Sequence, residues 1–336
     1  MGTKNRREIK DINKMKKKRK NILIIGICGG LAQIVARLLS KSEENIRIVG
    51  VDSRSISSLP EIAKVEYKKI RYSRNDFENI FRSLNFDCVY HLGRISHARA
   101  NPKASLAKRL DLNVIGTNRI LELATQHKVR RVIVLSTWHV YGAYPDNPVF
   151  MKETNLLRSS IKHPDLRDVV EMDQLTTNWM WKYQHELDVL LFRPCSIIGP
   201  NIANSMTNYL KSEYMPLGHD YNPMMQFIHE YDMAHTLSYA KDQIPIGTYN
   251  VAPSEFISLH EAKAVVGKKT IPSSVYLLEK IAHLLNKSSF LSVPNYLLDY
   301  LKYPCLISNE ELMKHLPENF FRFSTKDTLE LLNLNN

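Results

Sequence analysis

The sequence lacks the features of a secreted, membrane-spanning or disulfide-bonded protein. Its four cysteines, at positions 28, 88, 195 and 305, have no C-x-x-C spacing, so we interpret them as reduced thiols. No apolar run approaches the roughly 20 residues that a membrane-spanning helix needs. No signal-peptide pattern follows the basic start, because the next apolar run is short and opens a folded motif. We therefore expect a cytoplasmic protein.

Motifs for several kinds of chemistry are missing as well. The twelve histidines show neither H-x-x-x-H nor H-x-H spacing, so the sequence predicts no metal site. There is no G-x-S-x-G motif and no phosphate-binding G-K-[ST] loop, so nothing supports a hydrolase or a kinase.

Basic residues are concentrated at the start of the chain. The formal net charge is +12 over 336 residues, and residues 1–20 hold ten Lys and Arg against two acids. We predict that this segment is a disordered arm. A solvated tail is favoured over an arm that binds nucleic acid or an acidic membrane, and both of those alternatives stay open.

Apolar runs rich in Val, Ile and Leu alternate with helical patterns over the first two thirds of the chain. We predict strands at 21–26, 46–51, 65–70, 87–92, 131–136 and 188–193, and helices at 29–41, 76–84, 105–127 and 167–186. This alternation indicates β-α-β units in an α/β fold, with helices on both faces of a doubly wound parallel sheet.

A glycine turn separates the first predicted strand from the first helix. Gly26, Gly29 and Ala32 form G-x-x-G-x-x-A, a spacing that brings peptide N–H groups close to a phosphate. Asp52 ends the second strand, where its carboxylate can accept ribose hydroxyls and repel a 2′-phosphate. The sequence therefore predicts an adenine dinucleotide, NAD in preference to NADP, although the guanidinium of Arg54 can tolerate a 2′-phosphate.

Six further stretches resemble, in order, motifs of the NAD-dependent epimerase/dehydratase group of the extended short-chain dehydrogenase/reductase family. They are DCVYHLGR (87–94), LNVIGTNRILELA (112–124), VIVLSTWHVYG (132–142), LLFRPCSIIGP (190–200), FIHEYDMAHTL (227–237) and GTYNVA (247–252). The resemblance implies a Rossmann domain over 21–198 and a smaller C-terminal substrate lobe over 199–336, with 227–252 returning to the main domain.

The resemblance also assigns contacts residue by residue. It implies that the cofactor touches Gly26, Cys28, Gly29, Gly30, Leu31, Asp52, Arg54, Leu92, Gly93, Arg94, Asn113, Ser136, Pro194 and Cys195. It implies a nucleotide-sugar substrate, for which we name Arg94, Arg99, Tyr141 and Asn201 as candidate contacts. It further implies a homodimer formed by the helices around 114–127 and 178–187.

The tyrosine and lysine that the family uses for proton transfer are missing. The resemblance places the catalytic hydroxyl at Thr137, and the Y-x-x-x-K pair about 26 residues later, where this chain has His163 and Arg167. Glu171 falls where the family often has an acid. A histidine has an unperturbed pKa of about 6.5 and can act as acid or base, and an arginine can hold a ribose.

Three interpretations of this site stay open. His163 replaces the tyrosine, or another residue such as Tyr141 acts, or the protein binds NAD without redox catalysis. The sequence therefore favours an NAD-dependent epimerase/dehydratase-like oxidoreductase that transfers a hydride. The alternative is a non-catalytic NAD(P)-binding scaffold or sensor.

Overall fold

The structure is a computed structural model. It describes residues 19–42, 44–93, 106–212, 214–274 and 295–334.

A seven-stranded sheet forms the centre of the molecule. Its strands, numbered along the chain, are β1 Lys20–Ile25, β2 Ile46–Asp52, β3 Val65–Lys69, β4 Cys88–His91, β5 Arg131–Leu135, β6 Asp188–Pro194 and β7 Gly247–Val251. Their order across the sheet is β7-β6-β5-β4-β1-β2-β3, and every neighbouring pair is parallel. The order in which successive strands are added to the sheet therefore reverses between β1 and β4, at the point where open α/β sheets bind ligands.

Helices cover both faces of this sheet. They are α1 Gly30–Ser42, α2 Arg74–Ser83, α3 Leu106–Leu110, α4 Gly116–Gln126, α5 Ser159–Lys162, α6 Arg167–Lys182, α7 Ser205–Lys211, α8 Glu230–Ala240, α9 Leu259–Val266, α10 Asn295–Tyr300, α11 Glu310–Met313 and α12 Thr325–Leu334. No described helix is long and apolar enough to cross a membrane.

The side chains of the central strands fill two separate cores. Along β1, Ile22 and Ile24 pack into one cluster of buried residues, and Leu23 and Ile25 pack into the other. All four are fully buried, as expected for a strand covered on both faces. The predicted doubly wound α/β fold is confirmed.

The predicted helix over 105–127 differs from the observed one in its middle turn. The segment between α3 and α4, Asp111–Ile115, is a π-helix. Its wider turn carries Asn113 with its amide directed at Asp168, 2.6 Å away. Single π turns inside α-helices often occur at functional sites.

Short strands attach the C-terminal segments near the carboxyl edge of the sheet. They form four two-stranded pairs, which are Ser196–Ile198 with Phe227–His229, Met224–Met225 with Ile257–Ser258, Tyr214–Gly218 with Lys269–Ser273, and Phe150–Met151 with Leu306–Ile307.

A buried ion pair joins β6 to α6 beneath this edge. Arg193 donates from Nη2 and Nε to Asp173 at 2.6 and 3.0 Å, and Ser136 donates to the same carboxylate at 2.5 Å. Arg193 also donates to the hydroxyl of Tyr141, which donates in turn to Asn250 at 2.7 Å. Burial alone would lower the pKa of Arg193, but Asp173 reverses that effect and raises it. The network therefore ties β5, β6, β7 and α6 together.

We predict that Arg193→Met lowers the free energy of unfolding by about 3–5 kcal/mol, because it leaves the carboxylate of Asp173 buried without its cation. Denaturant unfolding measures this change. The control is Arg82→Ala, which removes an exposed ion pair with Glu78 and should cost less than about 1 kcal/mol. Equal costs for the two variants would contradict the role of the buried pair.

Candidate active site

The turn after β1 brings two backbones together. Gly26 has φ +89°, and the amides of Gly26 and Ile27 donate to the carbonyl of Val51 at 2.9 and 3.2 Å. A Cβ on Gly26 would lie 2.4 Å from Cα of Gly93, just after β4. Both the dihedral angle and the space therefore require glycine at this turn.

The first helix begins immediately after this turn. The amide of Gly29 donates to the carbonyl of Gly26 at 2.9 Å, and α1 starts at Gly30, followed by Leu31. The first N–H groups of a helix have no partner within the helix, and they carry a partial positive charge. This geometry fits the anionic diphosphate of a dinucleotide at the carboxyl edge.

Asn201 lies against the start of this helix. A Cβ on Gly30 would be 2.1 Å from the carbonyl oxygen of Asn201. Glu230 holds Asn201 in place, because its carboxylate accepts the backbone amide at 2.9 Å and the side-chain amide at 2.6 Å. Burial raises the pKa of Glu230. The predicted substrate contact at Asn201 stays a prediction, and the structure places this residue beside the glycine turn.

Asp52 lies at the end of β2, and its carboxylate is fully engaged. Oδ1 accepts from the backbone amide and Nε of Arg54, both at 3.0 Å. Oδ2 accepts from the amide of Cys28 at 3.0 Å and from Nη2 of Arg54 at 2.8 Å. Burial raises the pKa of Asp52, but these hydrogen bonds outweigh burial and lower it. Burial, assisted by Asp52, raises the pKa of the Cys28 thiol to about 11, so this thiol is neutral.

The end of β4 forms the other wall of the crevice. The amide of Leu92 donates to the carbonyl of Ile25 at 3.1 Å. A Cβ on Gly93 would meet the hydroxyl of Tyr72 at 2.4 Å. Arg94 and Arg99, which we predicted to contact the cofactor or the substrate, lie outside the described residues.

The predicted cofactor residue Asn113 belongs to a buried polar chain. Its side-chain amide donates to Asp168, and its backbone carbonyl accepts a hydrogen bond from the hydroxyl of Thr117 at 2.5 Å. The hydroxyl of Thr117 is 2.8 Å from Nε2 of His91. Burial lowers the pKa of His91 to about 4, so this imidazole is neutral. The side chain of Asn113 therefore stabilises the start of α6.

Four predicted residues line one cavity at the carboxyl ends of β5 and β6. The cavity has a volume of about 90 Å³, and its wall includes Ser136, Thr137, Pro194 and Cys195. The resemblance assigns these residues to the catalytic hydroxyl and the nicotinamide end of the cofactor. The structure thus brings them together from two strands.

His139 lies in the same cavity and was not among the predicted site residues. Its Nδ1 is 2.9 Å from Oγ1 of Thr137, and both residues contribute to the wall. Rings of Trp138, Tyr296 and Tyr300 surround the imidazole, with centroids 4.6, 5.4 and 4.9 Å away. The only sequence signal for this residue was its place two positions after Thr137.

His163 lies beside Tyr296 and is not among the residues that line the cavity. Its Nε2 is 2.5 Å from Oδ2 of Asp299, and Lys162 donates to Oδ1 at 2.6 Å. Burial raises the pKa of Asp299, but its two partners outweigh burial and lower it. Tyr296 lines the cavity, and its ring centroid is 6.5 Å from that of His163.

Arg167 points away from the cavity. Its Nε donates to Glu171 at 2.5 Å, and 60% of its side chain is exposed. The neighbouring residues that reach the cavity wall are Leu166 and Val169, both apolar. The buried acid of α6 is Asp173, whereas Glu171 lies at the surface.

The alignment with the family motif shifts if Asp173, instead of Glu171, is matched to the family acid. The tyrosine and lysine positions then move by two residues, to Asp165 and Val169. The carboxylate of Asp165 is 78% exposed. Neither alignment therefore supplies a phenol and an amine.

Tyr141, the other candidate for proton transfer, has its hydroxyl in the network of Arg193, and burial raises its pKa to about 12.

Metal ligation has no support in the described part of the chain. No group of three or more His, Cys, Asp or Glu side chains there is arranged to hold a metal ion.

Comparisons with known proteins agree with this geometry. The model of the NAD dependent epimerase/dehydratase family matches residues 22–252. An uncharacterised protein of Mycobacterium tuberculosis is 23% identical over 256 residues, which are 75% of this chain and 67% of that protein.

Two solved structures illustrate the shared fold. UDP-glucuronic acid 4-epimerase from Bacillus cereus, in complex with UDP-glucuronic acid and NAD, has a TM-score of 0.70 and 16% identity, and the match covers 94% of this chain and 98% of that one. dTDP-glucose 4,6-dehydratase from Bacillus anthracis, in complex with NAD, has a TM-score of 0.69 and 16% identity, covering 94% and 96%.

We predict that Gly26→Ala both destabilises the protein and abolishes dinucleotide binding, because a side chain there must displace the backbone of Gly93. The left-handed conformation alone costs about 1–2 kcal/mol. Thermal unfolding and titration calorimetry with NAD measure the two effects. The matched control is Gly116→Ala, whose Cβ would sit 3.7 Å from the nearest atom. It should stabilise the helix by about 0.5–1 kcal/mol, and equal behaviour of the two variants would contradict the argument.

Proposed function

This chain belongs to the NAD-dependent epimerase/dehydratase family, and from this premise we propose that it transfers a hydride between NAD and a nucleotide-sugar substrate. The observation that carries the proposal is the pair of Thr137 and His139 in one cavity with Pro194 and Cys195. Both solved structures described above contain NAD, and one also contains UDP-glucuronic acid.

The residues of the crevice fit the cofactor. The amides of Gly30 and Leu31 would hold the diphosphate at the start of α1. Asp52 would face the adenosine ribose, and Pro194 with Cys195 would face the nicotinamide end. When bound, NAD would supply the hydride acceptor.

His139 takes over the proton transfer that the family assigns to a tyrosine. The hydroxyl of Thr137 can accept the proton of a substrate hydroxyl while it passes its own proton to Nδ1 of His139. A histidine needs little adjustment of its pKa for this task near neutral pH. His163, our original candidate, remains the alternative, but it does not line the cavity, whereas Tyr296, whose ring centroid is 6.5 Å from that of His163, does.

A second candidate function is binding of NAD without redox catalysis. The observation that favours it is that the predicted catalytic residues His163 and Arg167 do not line the cavity, whereas the apolar Leu166 and Val169 do. On this hypothesis the protein is a scaffold or a sensor, and the cavity holds the nicotinamide without a substrate.

We predict that a nucleotide sugar reduces the bound NAD, as measured by the absorbance of reduced nicotinamide with UDP-glucose, UDP-glucuronic acid and dTDP-glucose as probes. His139→Gln should lower the rate by about 100-fold or more and leave the Kd for NAD unchanged. His163→Gln is the matched control and should lower the rate less than tenfold.

Two outcomes would contradict parts of this proposal. A rate that depends on His163 and not on His139 would assign proton transfer to His163. Tight binding of NAD with no reduction by any of the probes would support the scaffold or sensor.

We also propose that the protein is a homodimer through α4 and α6. Two large apolar side chains of these segments are exposed, Ile115 just before α4 by 47% and Trp181 in α6 by 66%. Sedimentation equilibrium should give twice the chain mass of 38.9 kDa, and Trp181→Glu should weaken association at least tenfold. A wild-type monomer at micromolar concentration would contradict the dimer.

A further inference from the structure

We propose that Arg54 makes the site accept an adenosine 2′-phosphate, so that the protein binds NADP about as well as NAD. This inference rests on the proposed dinucleotide site. It reverses the preference for NAD that the sequence alone suggested from Asp52.

The carboxylate of Asp52 has no acceptor position left for a ribose. A carboxylate offers about four acceptor positions, and Asp52 uses them for two backbone amides and two N–H groups of Arg54. Its exposed fraction is 2%. The two hydroxyls of an unmodified ribose therefore have to displace the guanidinium of Arg54.

This displacement is unfavourable. Hydrogen bonds between a guanidinium and a carboxylate are charge-assisted and bidentate, and they are roughly twice as strong as those from neutral donors. A ribose diol would replace them with two neutral O–H donors. Arg54 therefore competes with the ribose and weakens the discrimination that a free Asp52 would give.

The same guanidinium is positioned to bind a phosphate. Arginine has five N–H donors, and Arg54 directs two of them, from Nε and Nη2, at Asp52. Its side chain is 46% exposed, so donors remain at the solvent side of the crevice. Because Arg54 neutralises Asp52, the carboxylate repels a 2′-phosphate much less than an isolated one would.

The neighbouring strand adds positive charge. Lys69, at the end of β3, is the register partner of Asp52 on β2, so their side chains leave the sheet on the same face. Lys69 is exposed. The adenosine end of the crevice thus carries the exposed guanidinium of Arg54 beside a paired acid, with Lys69 on the same face of the neighbouring strand, a balance that favours a dianionic 2′-phosphate over a neutral diol.

Titration calorimetry on the full chain, freed of copurified nucleotide, tests this inference with NAD and NADP, and with AMP and 2′,5′-ADP as probes of the adenosine end. We expect the wild-type Kd for NADP to lie within tenfold of that for NAD. Arg54→Ala should raise the Kd for NADP by about 10- to 100-fold and leave the Kd for NAD equal or lower. 2′,5′-ADP should follow NADP, and AMP should follow NAD.

Arg47→Ala is the matched control. Arg47 also lies on β2 and pairs with an acid, Glu66, at 2.6 Å, but it is far from the carboxyl end of the strand. Its replacement should leave the ratio of the two Kd values unchanged. Arg54→Gln, which keeps hydrogen-bonding groups but no charge, should shift the ratio in the same direction as Arg54→Ala, and it serves if the alanine variant does not fold.

The outcomes separate this inference from the proposed function. Wild-type protein that binds NAD at least 100-fold more tightly than NADP, or a ratio that Arg54→Ala and Arg54→Gln leave unchanged, overturns the role of Arg54 alone. Wild-type protein that binds neither dinucleotide overturns the proposed function together with this inference.

Discussion

The close approach of two backbones at Gly26 and Gly93 sets the geometry of the whole carboxyl edge. Only residues without a Cβ let the ends of β1 and β4 meet this closely. This contact fixes where α1 starts and leaves its first N–H groups at the point where the strand order reverses. The dinucleotide crevice follows from that geometry, because peptide amides and a helix N-terminus supply its positive potential.

The shape of the cavity depends on a second feature, which is a buried ion pair. Arg193 and Asp173 connect β6 to α6, and Ser136 at the end of β5 binds the same carboxylate. The strand ends that carry Thr137 and Cys195 are thereby held beside one another. The network also uses the hydroxyl of Tyr141, which explains why this tyrosine, four residues after Thr137, does not line the cavity.

The fold could be predicted because its signal is local. Strands buried on both faces need continuous apolar runs, and the runs at 21–26 and 188–193 lie within a residue or two of β1 and β6. The π turn at Asp111–Ile115 has no such signal, since the apolar spacing of the surrounding helices continues through it.

The candidate site was predictable only in part, because its electrostatics depend on contacts distant in sequence. Thr137 and Cys195 follow strand ends and could be located from the motifs. The partner of His163 is Asp299, 136 residues further along, and no motif indicates it. Asp52 and Arg54 are both visible in the sequence, but only the structure shows that the guanidinium of Arg54 hydrogen-bonds to both carboxylate oxygens of Asp52.

A crystal structure of the full chain with bound NAD is the most direct test of the central claim, which is that the crevice between Gly26 and Asp52 holds an adenine dinucleotide. The account predicts the diphosphate on the amides of Gly30 and Leu31 and the nicotinamide beside Thr137 and Cys195. A nucleotide bound elsewhere, or a crevice that stays empty at saturating NAD, would contradict it.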